Sequence, residues 1–497
     1  MFESIKEKTG AAKLEHPIII AGIVILSVIL SFAIAKGGLP TVIGLIILLP
    51  ALVYLNRLFS YPTLGVITLL LFSFVAIGLT RYIVGVPLGL GVDGLLILSY
   101  IAIFFKNFYK KINFDQANRD ITYLLFFWFA YAILEFFNPQ ALSKTAWFYA
   151  MRGMSMYPIL LVPLALMLFK RLRHLYLFLY IWGVFTILAT LKGLVQLYIG
   201  LDPGEQFWID TVGGITHLIN GQLRVFSFFS DAGQFGAAQA AAGTVSLLVA
   251  TSITGKRNKI FFLIVGVMGL WGMILSGTRG AMIVPMIGGI VYLILSKNIR
   301  ILVTGGIMLA FIYVFFAYTY IGDSNYQIAR MRTAFRPEED ASYIVRLENR
   351  AILKTYLVDK PFGGGIGSAG NWGQRFSPQG FLANVATDSW YVQIWAEQGI
   401  VGLLLHLFIL SYIILKGFYL VMVRVKNVEL AGVLGALIAG YAGVMGASYG
   451  NGILGQMPTG ALIYISWAFI FMAQQLDREF SYLISIGSSP RSLLVKD

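Results

Sequence analysis

Apolar and polar positions lie along this chain in long blocks rather than in alternation. Apolar runs fall near 17–35, 39–55, 62–80, 86–105, 121–137, 155–169, 175–199, 233–253, 259–276, 280–296, 301–320, 399–415, 430–447 and 458–474. Runs of about 18 apolar residues are long enough to cross the hydrocarbon core of a bilayer as helices. The pattern predicts an all-α polytopic membrane protein with about 14 transmembrane helices, joined mostly by short loops. The first run ends in Ala33-Ile34-Ala35, which mimics a signal-peptidase site. Its apolar core is too long for a signal peptide and another span follows at once, so it reads as an uncleaved helix.

One stretch departs from the pattern. Gly322 to Gly402 opens with the polar, mixed-charge segment GDSNYQIARMRTAFRPEED and closes with ATDSWYVQIWAEQGIVG. Such a segment cannot lie in lipid, where its backbone and charges would go unsatisfied. Long loops with their own helices and glycine turns are where function concentrates. The chain divides accordingly into helices 1–11 over residues 1–320, a large loop over 321–398, and helices 12–14 with a tail over 399–497.

Charge sets the orientation. With the N-terminus inside, every predicted inside segment carries Lys or Arg: Lys6, Arg57, Lys106, Lys170, Lys256, Lys297, Lys416 and Arg478 mark them in turn. The short outside loops carry few. The positive-inside rule then places both termini in the cytoplasm and the large loop outside. Hydrophobic residues make up 58% of the chain and charged residues 12%, with a mean hydropathy of +0.79, which excludes a pair of soluble domains. The absence of cysteine excludes disulfides and thiolate chemistry, and four scattered histidines argue against a multi-histidine metal site. The net charge of +14 is read as inside-facing cations and sites for anionic lipid or phosphate, not as nucleic-acid binding.

Several arginines fall at outer helix ends or in outside loops: Arg81, Arg152, Arg224, Arg279, Arg336, Arg346 and Arg350. A guanidinium is a planar fork of donors that suits phosphate oxygens and stays charged. Several converging at one depth would clamp a pyrophosphate; a single one can equally snorkel to a lipid headgroup. Arg279 stands out because Gly277 and Gly280 bracket it in a tight turn. Ala341 to Val358 reads as an amphipathic helix with Arg346, Arg350 and Lys354 on one face, stopped by Pro361. It fits either a helix lying on anionic headgroups or a grip on a lipid-linked pyrophosphate. The run Gly363-Gly364-Gly365-Ile366-Gly367 lacks the Lys-Ser/Thr ending of a P-loop and reads as a tight turn. Asp388 would sit at the start of the twelfth span, where a carboxylate could accept a proton from a sugar hydroxyl, or simply cap the helix. Trp390 and Tyr391 could stack on sugar faces or belong to an interfacial aromatic belt. Asp93, Glu135, Lys192 and His406 fall inside spans, where ionisable groups are paired or functional; Asp93 and Lys192 come out at similar depth and are expected to pair.

The order RVFSFFSDAGQFG, SGTRGA, RLENRAILKTYLVDKPFGGGIG and EQGIVGLLL, over roughly Arg224 to Leu405, resembles the O-antigen ligase and O-antigen polymerase superfamily. The resemblance implies a fold related to GT-C glycosyltransferases and transfer of glycan from a polyprenyl-diphosphate carrier on the outer face of the bacterial cytoplasmic membrane, with no nucleotide sugar, metal or other cofactor. It implies that Arg224 and Arg279 bind the diphosphate and that Arg346 matches an arginine of the large loop. Where ligases of the superfamily carry a His-containing pair, this chain has Asp388-Ser389, which favours a polymerase.

The expected activity is therefore a polysaccharide polymerase. Asp388, Arg279 and Arg224 are its candidate catalytic residues, and Arg152, Arg346, Arg350, Trp390 and Tyr391 its candidate substrate contacts. The partners are lipid-linked glycan, a glycan or lipid acceptor, membrane lipid, and a chain-length regulator or flippase. The alternatives are a ligase that attaches finished glycan to a lipid or protein, and a polytopic transporter or lipid flippase.

Overall fold

The computed structural model describes residues 17–83, 85, 87–219, 221–296, 299–335 and 341–486. Arg336 and the orientation markers Lys6 and Lys297 lie outside the described residues. The chain is helical throughout the bundle. Each of the fourteen apolar runs coincides with an apolar helix, but not every one is a full span. Among the described residues, ten helices are long and apolar enough to cross a membrane, and the pair Thr459–Phe471 and Ala473–Ser485, bent by 66°, makes an eleventh if taken as one span. Ser27–Leu39, Thr63–Leu79 and Arg279–Leu295 are apolar but shorter. The first two runs form one helix, Pro17–Ser60, broken at Gly38, whose φ of 60° only glycine adopts readily.

Composition decides which helices are central. The spans Lys144–Leu168, Ala232–Ser252 and Val428–Ala447 are each 78% buried, whereas Ile299–Tyr318 is 0% and Thr41–Ser60 is 6% buried. Of the buried helices, Ala232–Ser252 and Val428–Ala447 are rich in Gly and Ala, whereas the exposed ones are rich in Ile, Leu and Phe. Between helices in lipid the hydrophobic effect gives no preference, so small residues that let backbones approach mark the interfaces. A Cβ at Gly269 would come within 2.7 Å of the Gly243 Cα, and one at Gly288 within 3.0 Å of the Ala439 carbonyl oxygen. These glycines let Lys256–Leu275 and Ile283–Leu295 press onto the central pair.

The bundle has two unlike ends. At one, Arg119 donates to the Phe471 carbonyl, Leu172 N–H to Glu479 at 2.9 Å, Thr254 to Glu429 at 2.6 Å, and Lys416 pairs with Asp120 at 3.0 Å. Lys106, Lys110, Lys170, Arg171 and Arg173 crowd the same end. At the other end the long connections interlock. Arg81 donates to the Ser227 and Phe229 carbonyls, Arg224 to Thr278, Arg279 to Thr333, Ser230 to Gln456, and the Trp390 N–H to the Ser448 carbonyl. All the arginines expected outside, Arg336 apart, lie at this loop-rich end.

Two expectations need correction. Asp93 does not pair with Lys192. A π turn at Arg152–Met156 presents Arg152 to Asp93 at 3.3 Å, while Lys192 reaches beyond its own helix end to Asp202 at 2.9 Å and Glu205 at 3.0 Å. The twelfth span does not begin at 399. Its helix starts at Trp390, runs to Tyr419, and bends at Gly399. Its first turns carry Gln393, Glu397 and Gln398, which are sheltered by the large loop and not by lipid: Glu397 accepts from the Ala369 N–H at 3.2 Å and its carbonyl from the Gly365 N–H at 2.7 Å.

Candidate functional site

The turn after Lys256–Leu275 presents the first arginine. Gly277 takes φ 58°, and a short 3₁₀ turn, Arg279–Met282, leads into the next helix. Both flanking glycines are required by close neighbours. A Cβ at Gly277 would come within 3.2 Å of Arg330 Cδ, and one at Gly280 within 2.7 Å of Asn451 Nδ2. Arg279 donates to Thr333 Oγ1 at 3.2 Å.

Arg224 arrives from a different segment. It follows the tight hairpin Leu218–Ile219/Gln222–Leu223, whose turn uses Gly221 at φ 73°. Its N–H bonds to the His217 carbonyl at 2.8 Å, and its guanidinium donates to the Thr216 carbonyl at 3.1 Å and Thr278 Oγ1 at 3.2 Å. Its buried Nε has no hydrogen-bond partner among the described residues. Burial, then the like charge of Arg330, pulls its pKa down to about 10; Asp231 opposes this and Arg279 adds to it.

Arg330, on the short helix Tyr326–Arg332, completes the group and is steadied by the Tyr326 hydroxyl at 2.8 Å. The N-terminus of Ala232–Ser252 stands beside these cations. Asp231 caps it through the Gln234 N–H at 2.8 Å and also accepts from Ser230 Oγ at 2.7 Å. Asn451 fits between this helix start and the Arg279 turn: a Cβ at Gly233 would come within 3.4 Å of its Oδ1. Guanidinium forks and an amide form a donor-rich surface suited to an anion, while the helix N-terminus beside them has its Ala232 and Gln234 N–H groups engaged by His217 and Asp231.

The second arginine group is two residues away along the same loop. Tyr449 accepts from Arg350 and its ring lies 4.5 Å beneath the guanidinium. The helix Ala341–Tyr356 is amphipathic as expected, but its inward face carries Arg346, Asn349, Arg350 and Leu353, while Ile344 and Leu347 are exposed. Arg346 Nε lies 3.3 Å from Asp388 Oδ2, and Arg346, Asn349, Arg350, Ala386, Asp388, Ser389 and Val392 line one pocket. Asp388 is not the helix cap. Ser389 is, accepting from the Val392 N–H, which leaves the Asp388 carboxylate half-exposed toward the pocket.

The structure brings Arg224 and Arg279 together, and Arg346, Arg350 and Asp388 together. It engages three other candidates elsewhere. Arg152 is buried against Asp93, the Tyr157 hydroxyl and the Tyr149 ring. The Trp390 indole is buried and donates to His406 Nε2 at 3.0 Å, while Gly455 packs against its ring. Tyr391 donates to the Met445 carbonyl at 2.8 Å and is half-buried. Trp390 thus offers no ring face to a sugar, and the Tyr391 hydroxyl is tied into the bundle. With Ser389 as the cap and the helix starting at Trp390, these first two side chains contact the bundle.

Sequence reasoning missed Arg330, Tyr449 and Asn451. Arg330 was one of several cations in a polar run, and the other two sit in a short uncharged connection between the last helices. Residues 264–407 match the family model described as O-antigen ligase. No curated protein matches the chain. The matched segment contains Arg279, Arg330, Arg346, Arg350 and Asp388; Arg224 precedes it. The chain is thus similar to the O-antigen ligase superfamily over the segment that carries both arginine-lined turns, as its motifs lead one to expect.

Proposed function

We propose that this membrane protein is a glycan transferase that polymerises oligosaccharide units carried on polyprenyl diphosphate. One observation carries the reading: Arg224, Arg279 and Arg330 converge from three segments beside a helix N-terminus, with Asp231, already engaged as its cap, as the neighbouring acid. A diphosphate leaving group fits that charge. In the reaction an acceptor hydroxyl attacks the anomeric carbon of the donor glycan. The bond from that carbon to the phosphate oxygen breaks, and polyprenyl diphosphate departs with the electron pair. The arginines stabilise the negative charge growing on it. The hydroxyl proton passes to Asp388, which Arg346 holds in position at 3.3 Å. The loop-rich end faces outward, because the opposite end carries the dense Lys/Arg rim.

The description of the matched family favours a second reading, a ligase that uses the same leaving group with a lipid or protein acceptor. The lipid-linked glycans of a deletion strain separate them. Accumulated single repeat units identify a polymerase and accumulated full-length chains a ligase. Unchanged glycan pools would refute both and return the protein to the transporters.

A further inference from the structure

Three aromatic rings at the loop-rich end are stacked nearly parallel and are used by nothing described so far. Tyr149 lies 4.9 Å from Trp372 at 19°, and 5.4 Å from Phe376 at 11°; Trp372 and Phe376 are 6.1 Å apart at 15°. Trp372 and Phe376 are four residues apart on the helix Gly370–Phe376 and therefore neighbours on one face. Tyr149 comes from the helix Lys144–Met151 and backs them both. All three rings are partly exposed. Trp390 is buried on His406, and Trp208 and Phe226, in edge-to-face contact with each other, both pack against Arg81.

We propose that Tyr149, Trp372 and Phe376, with Asn371 and Arg375 beside them, form a subsite for a sugar ring of the lipid-linked glycan. The inference rests on the transferase reading and names where that substrate's sugar is held. A pyranose has an apolar face of C–H groups and a rim of hydroxyls. The first packs on aromatic faces, where the electron-rich ring meets the polarised C–H bonds. The second needs planar polar groups at the edge of the stack. Asn371 and Arg375 are exposed and each precedes Trp372 or Phe376 by one residue, about 100° around the helix; the Arg375 guanidinium lies 5.2 Å from the Phe376 ring. The platform is held from behind, since Arg152 stands 5.3 Å from the Tyr149 ring and is itself tied to Asp93. It also adjoins the candidate chemistry. The helix opens at Gly370 with φ 57°, and a Cβ there would come within 4.0 Å of Thr387 Oγ1, the residue before Asp388. A sugar seated on the rings thus lies against the segment that delivers Asp388.

The test uses full-length protein in lipid nanodiscs and, as probe, oligosaccharide fragments released by mild acid from the producing strain's own surface polysaccharide. Saturation-transfer NMR should detect binding to wild type. Trp372→Ala should weaken it about tenfold or more, the scale of one lost ring stack. Trp372→Phe should keep most of it, and Arg279→Lys should leave it unchanged, because free fragments carry no diphosphate. The double variant Asn371→Ala/Arg375→Ala, altered only at exposed positions, should also weaken it and so covers a Trp372→Ala protein that fails to fold. In transfer assays with lipid-linked donor, Trp372→Ala should raise KM more than it lowers kcat. Equal binding by wild type and both sets of variants overturns the subsite, as does transfer by wild type with no fragment binding. Fragment binding lost in Trp372→Ala, from a wild type that performs no transfer, would keep the subsite and refute the transferase reading. Neither binding nor transfer refutes both.

Discussion

Two groups of cations share the loop-rich end, and they are built on opposite terms. In the first, Lys192 meets Asp202 and Glu205, Gln196 bonds Glu205 at 2.7 Å, Tyr82 bonds Asp202 at 2.6 Å, and Arg81 packs against the rings of Trp208 and Phe226. Each charge has its answer within the protein. Asp202 is held well below the usual carboxylate range: burial opposes this, but the bonds from Tyr82, the Glu205 N–H and Lys192 outweigh it. Burial lowers the pKa of Arg81 in the first group and of Arg224 in the second alike; what differs is the company, since acids led by Glu205 oppose the shift at Arg81, whereas the like charges of Arg330 and Arg279 add to it at Arg224 and only Asp231 opposes. Sequestering like charges costs free energy unless an opposite charge joins them. The first group holds the 199–231 connection in place; the second is the one for which we propose a diphosphate as counter-charge.

Variants can break this contrast in order of expected effect. Asp388→Asn keeps shape and hydrogen bonding but cannot take a proton, so polymer formation at matched membrane expression should fall by about 10²–10⁴-fold. Because Ser389 caps the helix, no capping loss confuses the result; activity within a few-fold of wild type would remove Asp388 from the mechanism. Arg279→Lys keeps the charge and loses the fork, and turnover should drop by about 10²-fold, the scale of one lost transition-state donor. Near-normal polymer from that variant would reduce the second group to lipid anchoring.

Arg332→Met probes the self-satisfied kind of arginine. Arg332 is buried, pairs with Asp323 at 2.8 Å and donates to the Ile321 carbonyl at 2.8 Å. Its loss should lower the melting temperature of the purified protein while turnover per folded molecule stays unchanged; a turnover defect at full stability would move Arg332 into the working group. Asp202→Asn should have the smallest effect, a modest fall in melting temperature. A depressed carboxylate contributes fully above the unfolded value of about 3.9 and loses its contribution only as pH falls through the folded one. The gap from wild type should therefore persist between about pH 7 and pH 5. A gap that closes in that window would show that Asp202 is not held ionised by its neighbours.

Much of this architecture is legible in the residues themselves. Each apolar run falls on a helix, since lipid allows few alternatives, although helices such as Lys144–Met151 and Ala473–Ser485 carry no such mark. The glycines around Arg279 announce a crowded turn, and Arg330 Cδ and Asn451 supply the crowding. What escapes the sequence depends on meetings between distant segments. Whether an arginine in a loop is spent or available turns on its partner, and nothing local separates Arg332 from Arg330. The aromatics show the same limit: Trp390 and Tyr391 look like a sugar platform beside Asp388 until the helix start engages them with the bundle, while Tyr149 and Trp372, the platform we propose, meet only when two helices far apart in sequence pack together. Three apolar helices among the described residues, Ser27–Leu39, Thr63–Leu79 and Arg279–Leu295, are also shorter than a full span, which the continuous apolar runs do not reveal.

The contact between Gly363 and Gly399 bears on how this protein could be recombined with its relatives. A Cβ at either glycine would collide with the other's backbone, and the Gly364 N–H bonds the Ala396 carbonyl at 2.9 Å. The large loop is thus clasped into the bend of the helix that follows it. A chimaera joined where the polar sequence ends would separate two surfaces shaped on each other. One joined beyond Gly402 would carry the clasp intact, so specificity should be exchangeable between such proteins only as a cassette that includes the first turns of that helix.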